Sequence, residues 1–264
     1  MKEPLILVLI LLLVLAGTGT VPDRESSRTS GGDSTPLGKE TRPCSNPVGI
    51  SIETTGGAEY LTHFKLSGGN KTVNLTLAGP VGKYMRTPGG ILVYTFYPGE
   101  SRGSEGAFLD CNLSVLWKRK LPALPRGYQN GSIVLVLSDE YEPRGCVYLL
   151  NPSNGEEKFR FCPDEYKFYI TDVRVIGNEL YLAGASLASG DAFIYAVRGR
   201  KTRKVFVASA GEHLLGVRVH LIVGDEKIKV IYSLSGWTGN ADVSGHCIFW
   251  RKSLIKVGCE EHGD

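Results

Sequence analysis

Several features are scarce in this 264-residue chain. It holds a single glutamine, Gln129, and two methionines, a shortage that fits a hot habitat, although asparagine is not correspondingly rare. Charge of one sign is not in excess either. Thirty Lys and Arg stand against 27 Asp and Glu, a formal +3 scattered along the sequence, which gives no electrostatic footprint for nucleic acid. Amphipathic windows of helical period are missing, so bundles are excluded. No Gly-rich phosphate loop, His-Glu-x-x-His helix, nucleophile elbow or calcium-binding helix-loop-helix motif occurs. The five histidines, His63, His213, His220, His246 and His262, are dispersed. The sequence therefore assigns no catalytic residue, cofactor or metal, and His220, within VRVHLIV, is expected to be a hydrogen-bonded strand histidine.

Long apolar runs are also missing. The longest, Leu5 to Ala16, is 12 residues, short of the roughly 20 that span a bilayer. With Lys2 before it and the small residues Gly17 to Thr20 after it, it has the layout of a secretory signal, residues 1–20, with no membrane span left after its removal. The alternative is an uncleaved anchor that borrows Gly17 to Val21 for length. Residues 21–47 are rich in Ser, Thr, Gly and Pro, balance four acids with four bases and lack aromatics, the composition of a flexible stalk. The folded domain is expected over 48–259, with 260–264 as a tail.

What is present fits export. The six cysteines form an even set, and triplets that accept N-glycans begin at Asn70, Asn74, Asn112 and Asn130. A secreted or cell-surface location is expected, with an extracellular glycan or protein as partner and calcium as a further candidate.

The clearest internal pattern is a β-rich apolar run that crosses a gap and returns as a hairpin. Its openers, Ile50, Ile91, Ile133, Leu180 and Ile228, are separated by 41, 42, 47 and 48 residues. Spacing in the forties is the period of propeller blades. We expect an all-β propeller of about five four-stranded blades, strands A to D running from the axis outwards. Unit 3 is clearest, with A at Leu124 to Gln129, B at Ser132 to Leu137, C at Cys146 to Leu150 and D at Glu157 to Cys162. Unit 1 must draw its A strand from Leu37 to Pro47, poor strand material. The alternative is four blades and an appended hairpin.

The stretch VYLLNPSNGEEKFRF, Val147 to Phe161, resembles the repeat of quinoprotein-type propellers, where a Tyr-containing strand meets an Asp/Asn-Pro-x-x-Gly-Glu turn and an aromatic strand. The resemblance implies a blade. It does not imply the quinone, because Phe159 stands where those repeats carry Trp and the adjacent cysteines of their site are absent.

Cys146 and Cys162 are symmetric about a turn at Asn154, as Cys247 and Cys259 are about Ser253. Facing positions on antiparallel strands bring Cβ atoms close enough to bridge. Unit 4 offers Ala192 and Ala208 at the same places. A zinc site of His246, Cys247, Cys259 and His262 is the weaker alternative, since its spacing is not a standard one. Cys44 and Cys111 are left to each other by elimination.

Strand order also sorts the loops. B-to-C and D-to-A connections share one face, where long loops and the acids Glu100, Glu105, Asp139, Glu140, Glu142, Asp164, Glu165, Asp191, Glu212 and Asp242 collect. The other face takes Arg198, Arg200, Lys201, Arg203, Arg251 and Lys252 with the sequons at Asn70, Asn112 and Asn130. Long loops on a rigid scaffold are where recognition lives, so Asp139, Glu140, Asp191, Trp237 and Asp242 are the expected ligand-binding residues. Trp117 and Trp250, on strands, are expected in the core. The competing function is a glycoside hydrolase, which needs two carboxylates across the channel mouth.

Overall fold

The structure, a computed structural model, describes residues 44, 48–57, 59–138, 141–239 and 242–262. The signal-like run, and the stalk apart from Cys44, lie outside them.

Among the described residues nineteen strands form five antiparallel sheets. Blade 1 is β1 (Gly49–Thr55), β2 (Leu61–Gly68) and β3 (Lys71–Ala78), and blade 2 is β4 (Val81–Thr87), β5 (Gly90–Phe96), β6 (Gly103–Asp110) and β7 (Val115–Lys120). Blade 3 is β8 (Leu124–Gln129), β9 (Ser132–Leu137), β10 (Cys146–Leu150) and β11 (Glu157–Phe161). Blade 4 is β12 (Phe168–Ile176), β13 (Glu179–Ser186), β14 (Asp191–Arg198) and β15 (Lys201–Ser209), and blade 5 is β16 (Leu214–Val223), β17 (Lys227–Gly236), β18 (Val243–Trp250) and β19 (Lys256–His262). The chain is thus a five-bladed propeller in which each strand pairs with its sequence neighbour. Among the described residues blade 1 has three strands, against the four expected. Of the stretch from which its inner strand was expected, Cys44 is described, and it is tied to Cys111 beyond the end of β6 in blade 2 rather than paired with β1. At the other end, Glu260 to His262, expected as a tail, continue β19 and pair with Ser244 to His246.

The blades are held by four apolar clusters, each between consecutive sheets. Phe64, Leu66 and Leu77 meet Ile91, Val93 and Leu109 between blades 1 and 2, and Leu92, Phe108 and Trp117 meet Ile133, Leu135 and Tyr148 between blades 2 and 3. Val134, Val136 and Val147 meet Ile170, Leu182 and Tyr195 next, and Tyr181, Ala183 and Ile194 meet Val219, Val230 and Phe249 last. Each such side chain, fully buried, contributes about 1.5–3 kcal/mol, so consecutive packing is the main cohesive force.

Burial along the second strand shows which blades are covered on both faces. β9 (SIVLVL) is buried at every position, as a strand between two neighbours should be. β17 instead alternates: Ile228, Val230, Tyr232 and Leu234 point towards blade 4, while Lys227, Ile231 and Ser233 are exposed. β1 is exposed at every position but Ile50. Blades 1 and 5 therefore each turn one largely polar face outwards. Trp250, at the end of β18, is the correction that follows: it is 43% exposed with the Lys227 ammonium 4.8 Å from its ring centroid, not in the core. Trp117 is in the core as expected.

All three expected disulfides are present, with Cα atoms 5.3 Å apart for Cys44–Cys111, 4.2 Å for Cys146–Cys162 and 4.1 Å for Cys247–Cys259. Ala192 and Ala208 face each other at the matching site of blade 4. Three bridges fit an oxidising, extracytoplasmic compartment.

The residues behind the quinoprotein-type resemblance hold a turn. Asn151 Oδ1 accepts from the Ser153 amide and Asn154 Oδ1 from the Glu156 amide, while Gly155 takes φ +72°. A Cβ on Gly155 would lie 2.8 Å from the Trp117 ring, so only glycine lets the turn seat there.

All four sequon asparagines are exposed, but the Asn130 side-chain amide also donates to Gly177 O of blade 4. A glycan on Asn130 would break that bond and push against the next blade. Peptide mapping of chain secreted from a glycosylating host is expected to find glycans on Asn70, Asn74 and Asn112 and an unmodified Asn130; an occupied Asn130 would count against this packing.

Candidate functional site

The β-to-β connections place the loops between second and third strands, and those between successive blades, on one face. Backbone hydrogen bonds string these loops together. Lys167 N donates to Pro143 O, Leu187 N to Lys167 O, Leu214 N to Leu187 O and Trp237 N to His213 O. Lys167 holds a positive φ of 51°, a strained choice for a residue with a Cβ, and both its amide and its carbonyl are used in this relay. Loops of blades 3, 4 and 5 are therefore fixed relative to one another.

Trp237 stands at the end of this relay. Glu212, between β15 and β16, accepts from the Thr238 hydroxyl at 2.9 Å, fixing the turn after the tryptophan. A Cβ on Gly236 would fall 1.9 Å from Glu212 Oε1, so a larger residue there would have to push the Glu212 carboxylate aside. The backbone of Trp237 is clamped, yet its side chain is 69% exposed. Beside it Leu215 is 65% exposed, and with Tyr169, Leu187, Leu214 and Val217 the two line a groove of about 440 Å³ that also reaches Gly99 of blade 2. Tyr60, Tyr97, Tyr141 and Tyr166 are exposed on other loops of the same face.

The expected residues distribute unevenly around this groove. Asp139 and Glu140 lie outside the described residues. Asp242, exposed, shares the β17–β18 loop with Trp237, and Asp191 opens β14 one residue after Gly190, which packs on the Glu212 backbone. The acidity expected of the face is largely committed. Glu142 pairs with Arg102 at 2.6 Å, Glu105 accepts from the Ala78 amide at 2.9 Å and lies 3.5 Å from Lys118, and Asp164 lies 3.7 Å from Arg144. Glu165 takes the Tyr195 hydroxyl and the Lys204 ammonium. Among the described residues no group of three or more His, Cys, Asp or Glu is placed to hold a metal ion.

Missed in the sequence were Tyr169, Leu187, Leu214 and Leu215, which supply apolar side chains to the groove. The signal was there in Leu214 and Leu215, two leucines opening a strand that otherwise alternates.

The channel wall offers a second cavity, of about 190 Å³, lined by Arg126, Gln129, Thr171, Asp172 and Arg174 among others. Asp172 is the one acid on the inner strands β4, β8, β12 and β16. Its Oδ2 accepts from Leu221 N at 2.9 Å and Arg174 Nη2 at 3.3 Å and lies 2.7 Å from His220 Nδ1. His220 is accordingly the bonded strand histidine that was expected.

No family description matches the chain, and no curated protein matches it in sequence. Hydrazine synthase of Kuenenia stuttgartiensis aligns at 11% identity and TM-score 0.45 over 78% of this chain, which spans 62% of the length of that one. A subtype N11 neuraminidase-like protein of A/flat-faced bat/Peru/033/2010 (H18N11) aligns at 9% identity and TM-score 0.34, over 86% of this chain and 90% of its own. Likenesses of this strength carry nothing about function, and the resemblance of Val147 to Phe161 to quinoprotein repeats rests on those residues alone. The five-bladed propeller stands on the chain's own sheet topology.

Proposed function

We propose that the chain is an extracellular recognition module that binds its ligand on the loop face, in the groove beside Trp237. The observation that carries this is a tryptophan exposed on a backbone clamped by His213 O and by the Glu212-bound turn. A large apolar side chain held out to water costs solvation, and recognition is what repays it. Aliphatic lining from Leu187, Leu214 and Leu215 suits an apolar anchor of a partner protein, with a sugar ring stacked on Trp237 as the other glycan-type occupant.

The hydrolase reading finds less support. It asks for two carboxylates across the channel, and the described inner strands β4, β8, β12 and β16 supply Asp172 alone, already bound to His220, Arg174 and the Leu221 amide.

Screening against arrayed glycans and extracellular proteins identifies a ligand, and variants then locate it. Trp237→Ala with Leu215→Ser should weaken binding by about 30-fold or more, the effect of losing a central aromatic anchor. Melting should barely change, because both side chains are exposed. Asp191→Ala with Asp242→Ala should matter less. A ligand that ignores the first pair and needs the second would overturn the groove.

A further inference from the structure

The turn face, opposite Trp237, carries a second site. Between blades 4 and 5 a cleft of about 600 Å³ is lined by Arg198, Lys201, Arg203, Arg251 and Lys252, opposed by Glu179 and Asp225. Five bases against two acids concentrate positive charge in a concave space, where low-dielectric walls focus the field. The chain as a whole has a formal charge of only +3. The cleft is thus a local feature rather than a sample of the general surface.

Part of it is prebuilt. Arg251, 17% exposed, donates from Nε to the Tyr181 hydroxyl at 3.0 Å and from Nη1 to Gly224 O at 3.3 Å. Its guanidinium carbon lies 5.5 Å from the Tyr181 ring centroid. Tyr181 donates in turn to Glu179 at 2.5 Å, and Glu179 also pairs with Arg203 at 3.5 Å and Arg251 at 3.7 Å. Burial, and then the bond to Glu179, pushes the Tyr181 phenol above its ordinary range, so it stays a donor. Glu179 thereby holds the two arginines in place and offsets one of the cleft's five positive charges, as Asp225 offsets another. Arg198, Lys201 and Lys252, on the β14–β15 and β18–β19 turns, remain exposed at its rim.

The sequons leave this sector bare. Asn70, Asn74, Asn112 and Asn130 all fall in blades 1 to 3, and blades 4 and 5 carry none. Glycans would therefore cover the turn face on one side and leave the basic cleft open.

We propose that the cleft between blades 4 and 5 binds a polyanionic glycan through its sulfate or phosphate ester groups. A guanidinium fork matches the oxygens of such a group in two parallel bonds, and the rim bases reach a second ester along the same chain. The site is independent of the Trp237 groove.

Titration calorimetry at low salt, on the full disulfide-bonded chain, tests it with a sulfated hexasaccharide, its unsulfated counterpart, inorganic sulfate and single-stranded DNA of equal charge. The sulfated sugar should bind, with the unsulfated sugar silent and inorganic sulfate far weaker. Arg198→Ala with Lys201→Ala and Lys252→Ala should weaken it by about 30-fold, and Arg198→Lys, which keeps the charge but loses the guanidinium fork, by about 10-fold. The control Lys65→Ala with Lys120→Ala, on other blades, should change little, and Trp237→Ala nothing. Equal losses in control and cleft variants, or DNA binding as tightly, would reduce the site to general charge and overturn the proposal. Inorganic sulfate binding as tightly as the sugar would overturn the glycan. Loss on Trp237→Ala alone would move the ligand to the other face.

Discussion

Alanine in place of Trp117 is expected to destabilise the folded chain by about 3–5 kcal/mol, the usual cost of emptying a large buried aromatic site. Trp117 lies on β7, stacks on Phe108 with ring centroids 6.1 Å apart, and belongs to the cluster that joins blades 2 and 3. Its indole Nε1 also donates to Pro152 O at 2.7 Å, and Arg119 donates from the same strand to Gly155 O at 2.5 Å. One side chain therefore supplies both the apolar contact and the polar latch that seat the Asn151–Glu156 turn on the preceding blade. Trp117→Phe separates the two contributions. It keeps most of the apolar contact and leaves Pro152 O without its partner, so about 1–2 kcal/mol is expected. Denaturant titration checks both. A loss under about 1 kcal/mol for the alanine variant would mean that the blades do not depend on this contact, contrary to the general cost of core truncation.

Much of the fold was legible because blades repeat. The unit 3 boundaries for β8, β9 and β10 match the expected segments, and the Cys146–Cys162 and Cys247–Cys259 pairings follow from hairpin symmetry alone. The sequence also held a clue that was passed over. β5, β9 and β13 are apolar runs, but GISIETT and KIKVIYSLSG place Ser51, Glu53 and Thr55, and Lys227, Lys229, Ser233 and Ser235, at alternate positions. Period-2 alternation marks a strand with one wet face, and it occurs in the first and last blades. Trp250 is exposed because it stands opposite Lys227 on that wet face.

The site was less legible, for a physical reason. Charges can be sorted onto a face by strand order, but whether a carboxylate is spent depends on its partners in space. Glu105 and Lys118 are neighbours only because β6 lies beside β7, and Glu165 meets Lys204 only across blades 3 and 4. Likewise the groove gathers Gly99, Leu187, Leu215 and Trp237 from three blades. Trp237 itself was recognisable, because a tryptophan in a Gly-rich loop has no strand neighbour to bury it.

Among the disulfides, loss of Cys44–Cys111 should cost the most. By the chain-entropy account a closed loop of 67 residues restricts the unfolded chain by about 4 kcal/mol, against about 3 kcal/mol for the hairpin bridges of 16 and 12. The structure widens that difference. Cys146–Cys162 and Cys247–Cys259 join strands that β-pairing already holds side by side, and Ala192 with Ala208 shows the same site folding without a bridge. Their measured contribution should therefore fall below the entropic figure. Cys44–Cys111 instead encloses all of blade 1 and most of blade 2, and blade 1 is the blade with three strands, a wet outer face and one apolar partner. Near its start, Arg86 donates to Val48 O at 2.6 Å, and Val48 is buried in the cluster between blades 1 and 2. Cutting the bridge frees this entry segment and lets β1 fray from its uncovered edge. Cys44→Ala with Cys111→Ala should lower the melting temperature more than either hairpin double variant, and hydrogen exchange should show the loss of protection concentrated in β1 to β3. Equal melting shifts for all three pairs, with protection lost evenly over the five blades, would show that blade 1 is held by its packing on blade 2 and not by the bridge.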